Sequence, residues 1–284
     1  MKKVMRNSLV PLLMLVWGAS FAQPASSVPN VLDNTYVREN VPNRRVIPYS
    51  FLREADVIWS RRIWRIMDLK EKMNLPYFYP ASPNASRKSM WDVLYAAIKA
   101  EGLTVYEFNL FDIDHTFMEQ MTKTKADSSL LKLIRVTDEQ GNSTIQGQAF
   151  TSGDISQYEL KEDWFFDKQR SVLDVRILGI CVVRKQFDDN GTEQPGTVPM
   201  FWIYFPQVRP LFSKAEVFND KNDAERRTYE DMFWKRQFSS YIVQESNVYN
   251  RKVSDYLKNT LDALLEGESI KNNIATLEND MWQY

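Results

Sequence analysis

Apolar residues recur along this chain in two rhythms, one helical and one alternating. From Ser50 to Asn74 the rhythm is helical. Set about 100° apart, Ile58, Trp59, Ile63, Ile66, Met67, Leu69 and Met73 share one broad face, with Arg61, Arg65, Asp68 and Lys72 opposite. The spacing predicts a helix capped by Ser50 and stopped by Pro76. Asp68 can pair with Arg65 and Lys72, whereas Arg61 and Arg65 repel at i,i+4. Trp64 falls among the polar residues. It is therefore expected to be exposed unless a partner or a second layer covers it.

A second helix follows in SMWDVLYAAIKAEG, with Trp91, Leu94, Tyr95 and Ile98 on one face and Gly102 suited to its C′ position. LTVYEFNLF and LLKLIRVTD then read as strands, and GNS at 141–143 as a turn before TIQGQAF. In YELKEDWFFDKQRSVLDVRILGICVVR, Leu173, Val175 and Ile177 alternate with Asp174 and Arg176. The apolar run then becomes continuous to Val183, the pattern of a strand buried on both faces. It can pair antiparallel with VPMFWIYFP across the loop FDDNGTEQPG. Three helical patterns close the chain. They are AERRTYEDMFWKRQFSSYIVQ, with a break near Phe238, then NRKVSDYLKNTLDALLEG, ended by Gly267, then the tail from Ser269 to Trp282. The middle one has an apolar face of Val253, Tyr256, Leu257, Leu261, Leu264 and Leu265. Helices at both ends around a mainly antiparallel sheet make the expected class α+β. The expected domain spans 46–284, with a subdivision near 140–155 left open.

The first residues change the picture of where the protein works. Lys2, Lys3 and Arg6 precede an apolar run from Leu9 to Trp17, and Ser20-Phe21-Ala22 places small residues where a signal peptidase cuts. Residues 1–22 read as a secretory signal peptide, too short in its apolar part to span a bilayer. Residues 23–45, with prolines at 24, 29 and 42, read as a flexible or extended arm. The only cysteine is Cys181, so no thiol near the cleavage point can take a lipid and no disulfide can form within the chain. Removing the leader leaves 33 basic against 37 acidic side chains, a net charge near −4. That balance and the expected periplasmic compartment argue against nucleic acid as a partner.

Candidate chemistry is sparse. Asp112, Asp114 and the sole histidine, His115, can face one cation if FDIDHTF is extended, but two oxygens and one imidazole are too few for a convincing metal site. A metal-dependent envelope enzyme using these three residues is the alternative reading. Cys181 lies in an apolar strand and reads as a buried core thiol. No G-x-S-x-G elbow, Walker sequence, dinucleotide fingerprint or C-x-x-C is present, and no cofactor is implied. Trp164, Phe165 and Phe166 cannot all enter one core from a regular element. Either one packs against a loop cluster or a neighbouring subunit, or a second small core exists within the fold.

Three segments carry a family resemblance. SRRIWRIMDLKEKMNLPYFYP, EDWFFDKQRSVLDVRILGIC, and YEDMFWKRQFSSYI with QESN beyond Val243 resemble the signature segments of the GldN/PorN family, over nearly all of the chain from about Val31. The resemblance implies a non-enzymatic subunit of the gliding motility and type IX secretion machinery of Bacteroidota. It implies a periplasmic location, peripheral to the outer membrane through partners. Those partners are a GldK/PorK-like outer-membrane lipoprotein, copies of the chain itself in a ring, and the periplasmic part of a GldM/PorM-like motor protein. No catalytic residues come with the resemblance. An amphipathic helix with a basic flank and an unused tryptophan suits such a subunit. The candidate interface residues are accordingly Arg61, Trp64, Arg65, Trp164, Phe165 and Phe166.

Overall fold

The structure is a computed structural model that describes residues 43–83, 87–109, 117–137, 143–188, 190–219, 222, 224–249 and 251–281. The leader, most of the arm and the Asp112/Asp114/His115 segment lie outside the described residues. All described residues fall in one compact unit, Asn40–Tyr284.

A six-stranded, wholly antiparallel sheet organises that unit in the order β2-β7-β6-β5-β1-β8. Its strands are β1 (Val57–Asp68), β2 (Val105–Glu107), β5 (Ile155–Asp167), β6 (Val172–Phe187), β7 (Glu193–Tyr204) and β8 (Tyr241–Glu245). A separate hairpin joins β3 (Leu131–Thr137) to β4 (Ser143–Ala149). The helices are α1 (Leu75–Phe78), α2 (Met90–Lys99), α3 (Lys123–Ser129), α4 (Phe205–Phe212), α5 (Tyr229–Trp234), α6 (Val253–Tyr256) and α7 (Thr260–Met281). The class is α+β with a mainly antiparallel sheet.

The largest departure from the sequence pattern is β1, where a helix is expected. Val57, Ile58, Trp59, Ile63, Trp64 and Ile66 are β-branched or aromatic, types that favour a pleated surface. The segment pairs with β5 along most of its length and with β8 over Ile63–Ile66. Side chains alternate across it. Met67 joins Tyr158, Val182 and Phe201 in the main core, while Trp64 joins Tyr106, Cys181, Val183 and Trp202 on the opposite face. A strand buried on both faces loses its polar alternation, and its apolar spacing then also fits a helix. Ile58 and Met73, placed on the core face by the helical pattern, are exposed.

Helices α2, α4 and α5 cover the main-core face through Met90, Trp91, Leu94, Val208, Phe212, Met232 and Phe233. Ser89 caps α2 in a box with Asp92. At the far end the left-handed residue is Glu101 (φ 57°), one place before the expected glycine. Gly102 N–H reaches Ala97 O at 3.0 Å and Glu101 N–H reaches Ile98 O at 3.1 Å, a Schellman closure. Hairpin β6–β7 forms as expected, but β7 ends at Tyr204 and Pro206 opens α4. On the opposite face Gly179 makes room for Phe117, whose ring would lie 2.4 Å from an added Cβ.

The C-terminal patterns resolve differently from the three helices expected. Thr228 caps α5, which ends after six residues, and the chain turns through left-handed Arg236 (φ 50°). The segment after Phe238 is then the edge strand β8. Gly267 does not end a helix. It is buried inside the 22-residue α7, where a Cβ would sit 2.8 Å from the carbonyl oxygen of Ile242. This close approach lays Gly267, Ile270 and Ile274 on β8, and a covering helix is one way of protecting a sheet edge. Gly267→Ala should therefore destabilise the chain despite alanine's better helix propensity, worth about 1 kcal/mol. A backbone atom must move to admit the methyl, at a cost of about 1–3 kcal/mol. Urea denaturation of the two proteins measures the difference, and a more stable variant would contradict the packing.

Candidate protein-interaction surface

The six candidate interface residues do not form an exposed patch. Trp64 is fully buried (0 % exposed), with the Lys161 ammonium 5.9 Å from its ring and 5.2 Å from that of Phe117. Arg65 is 9 % exposed and donates to the Ser240 hydroxyl at 2.9 Å and the Ser240 carbonyl at 3.2 Å. Phe165 and Phe166 are buried, Phe165 beneath the Arg176 guanidinium at 5.2 Å. Arg61 stays at the surface, bridging to Glu245 across β8 at 2.9 Å. The helical division into a core face and a partner face is thus replaced by a strand whose two faces are both covered from Ile63 to Met67.

Trp164 settles the question raised by three consecutive aromatics. It is half-buried beside a second small core of Ile63, Ile242, Val253, Ile270 and Ile274. Its Nε1 donates to Glu162 Oε2 at 3.0 Å, and the Arg236 guanidinium lies 5.3 Å from its ring. Arg236 also donates to the same Glu162 oxygen at 3.1 Å and sits 2.9 Å from the other. Glu162 is fully buried, so Arg236 and Trp164 compensate a carboxylate taken out of water. The neighbouring pair Arg62–Asp163 is bidentate at 2.6 and 2.9 Å. The charges of the EDWFFD segment thereby pin β5 to β1 and to the turn after α5.

Two further buried groups carry shifts set by burial. Cys181 is fully buried and burial pushes its thiol well up, as an inert core thiol requires. Burial raises the Glu159 carboxyl, partly offset by the Lys252 charge. Among the described residues no group of three or more His, Cys, Asp or Glu can hold a metal, and no helix is long and apolar enough to cross a membrane.

Two surfaces among the described residues are open. The first is a cleft of about 600 Å³ between Pro48–Ser50, the start of β6 and α5. The segment forming its wall is held by arginines: Arg209 donates to Ile47 O at 2.7 Å, and Arg176 to Ser50 O at 2.6 Å. Tyr49 stacks on Trp234, with centroids 5.8 Å apart, and Arg209 lies 3.9 Å above the Tyr49 ring. Arg209 in turn holds Glu230, whose carboxyl burial raises. The second surface is the outward side of α7, where Leu261 (62 %), Leu264 (42 %) and Leu265 (60 %) are exposed. The sequence pattern placed these leucines on one apolar face of a helix ended by Gly267. The stripe that packs is Ala263, Gly267, Ile270 and Ile274. It is visible in the sequence only if the helix is continued through Gly267.

This is an α+β protein whose motif residues are spent on strand packing and internal ion pairs. The chain belongs to the GldN family: the family described as "Gliding motility associated protein GldN" matches residues 52–283. It is accordingly a component of the gliding motility and type IX secretion machinery. No curated protein matches the chain.

Comparison of Trp64→Ala with Ile63→Ala tests this assignment of the motif residues. Both should destabilise the isolated protein, by about 3–5 and 2–5 kcal/mol respectively. Arg61→Glu should change its melting temperature little, since the ion pair it breaks is partly exposed. Thermal melts of the three variants provide the check. A Trp64→Ala protein as stable as the parent would return Trp64 to the surface.

Proposed function

We propose that the chain is a non-enzymatic structural subunit of the periplasmic part of the type IX secretion and gliding machinery. In this reading it assembles with a GldK/PorK-like outer-membrane lipoprotein into a ring beneath the outer membrane. The periplasmic part of a GldM/PorM-like motor protein contacts that ring. The observation that carries the reading is the family match over residues 52–283. The leader-like first 22 residues support an exported protein. The internal use of the motif charges and aromatics supports a rigid scaffold, with the cleft beside Tyr49 and the leucine side of α7 left for partners.

Affinity isolation of the tagged chain from envelope extract, with mass measurement of the intact complex, tests the proposal. The expected result is a large assembly containing many copies of the chain and a lipoprotein, with His115→Ala secreting cargo as the parent does. Isolation of the chain alone from intact envelopes would overturn the assembly. Loss of secretion by a folded, assembled His115→Ala protein would overturn the non-enzymatic role.

A further inference from the structure

The outward side of α7 carries a pattern that is complementary to itself. The stripe Leu261, Leu265, Glu268 and Asn272 is exposed along the helix, opposite the buried stripe through Gly267, Ile270 and Ile274. These positions are spaced by three and four residues, the repeat that lets one helix lie along another. Lys258 stands one residue before the Asn259 that receives the Ala263 amide and opens the helix. It is exposed, and no ion-pair partner is found for it among the described residues. An antiparallel copy of α7, mirrored about position 263, sets Leu261 on Leu265 of the second copy and Lys258 on Glu268 of the second copy. Each contact occurs twice, as two-fold symmetry requires.

We infer that two copies of this chain pair through the outward faces of α7, antiparallel, with the two-fold axis between Leu261 and Leu265. Leu264 flanks the axis, so three leucines from each copy leave water together. Opposite charges at the ends fix the direction: a parallel pairing in register would set Lys258 on Lys258 and Glu268 on Glu268. Glu268 pairs with the exposed Lys271 of its own helix, at 3.4 Å, a contact worth little and readily exchanged, and its charge also acts on Arg65 of β1. Gly267 contributes indirectly, because its contact with Ile242 fixes the rotation of α7 and hence which leucines face outward. The surface is small, so the dimer belongs to the weak class, dissociating in about the micromolar range.

Sedimentation equilibrium of the purified, leaderless chain at about 1–200 µM tests this, with circular dichroism confirming that each variant folds. The parent should form dimers. Leu261→Glu with Leu265→Glu should weaken them by about tenfold or more without lowering the melting temperature. Lys258→Glu and Glu268→Lys should each weaken the dimer, and the two together in one chain should restore it, since the reciprocal pairs are then re-formed with signs exchanged. A parent that stays monomeric, a dimer indifferent to the leucine changes, or a double charge variant no better than the single ones would overturn the inference. No partner protein is present in the measurement, so its failure leaves the assembly proposed above to stand or fall on affinity isolation.

Discussion

The strand β1 holds this fold together by being needed on four sides. Its edges bond to β5 and β8, and its faces feed two different cores. Trp64 fills the space over the sheet between Tyr106 and Trp202, while Met67, three residues on, packs with Tyr158 beneath the helices. Burial of a large aromatic on one side and aliphatic groups on the other makes the segment hard to replace. Without β1, β8 loses its only sheet neighbour, and α7 loses the strand on which Gly267 and Ile270 rest.

Charge serves the same end. Arg62 with Asp163, Arg65 with Ser240 and Arg236 with Glu162 each tie one strand or turn to the next. Buried ions are costly, and their value lies in being matched by one partner in one register. Glu162 is the clearest case, receiving the Trp164 indole and the Arg236 guanidinium where the chain leaves α5 in a left-handed turn. A motif dense in arginine, aspartate and tryptophan therefore reports internal wiring here. The leucines of α7 form an exposed apolar stripe outside the three motif stretches, in which Met73, Tyr79 and Trp234 are also exposed.

The parts of the fold legible in the sequence were those governed by local rules. The spacing of Trp91, Leu94, Tyr95 and Ile98 announced α2, the alternation after Leu173 announced β6, and the loop to β7 announced its antiparallel partner. The parts that were not legible depend on distant neighbours. The apolar residues of β1 fit a helical period because both of its faces are covered, and only the presence of β5 and β8 decides between the two periods. Gly267 reads as a stop signal in isolation, whereas its missing side chain is a requirement of packing against Ile242. The same error hid the candidate surface, since ending the helix at Gly267 turns its outward leucines into apparent core. Trp64 illustrates the reverse: a residue that looked unused is fully buried. Family membership was legible because it rests on the identities of many residues, whatever structure they adopt.

The account stands on the segment Arg61–Met67 being a strand, doubly covered from Ile63, and nuclear magnetic resonance reads this directly. Backbone nuclear Overhauser contacts should run from Trp64 to Lys161 on one side and to Gln244 on the other, the partners set by its register. Medium-range contacts from Arg61 to Trp64 and from Ile63 to Met67, with no cross-strand contacts, would mean a helix and would contradict it.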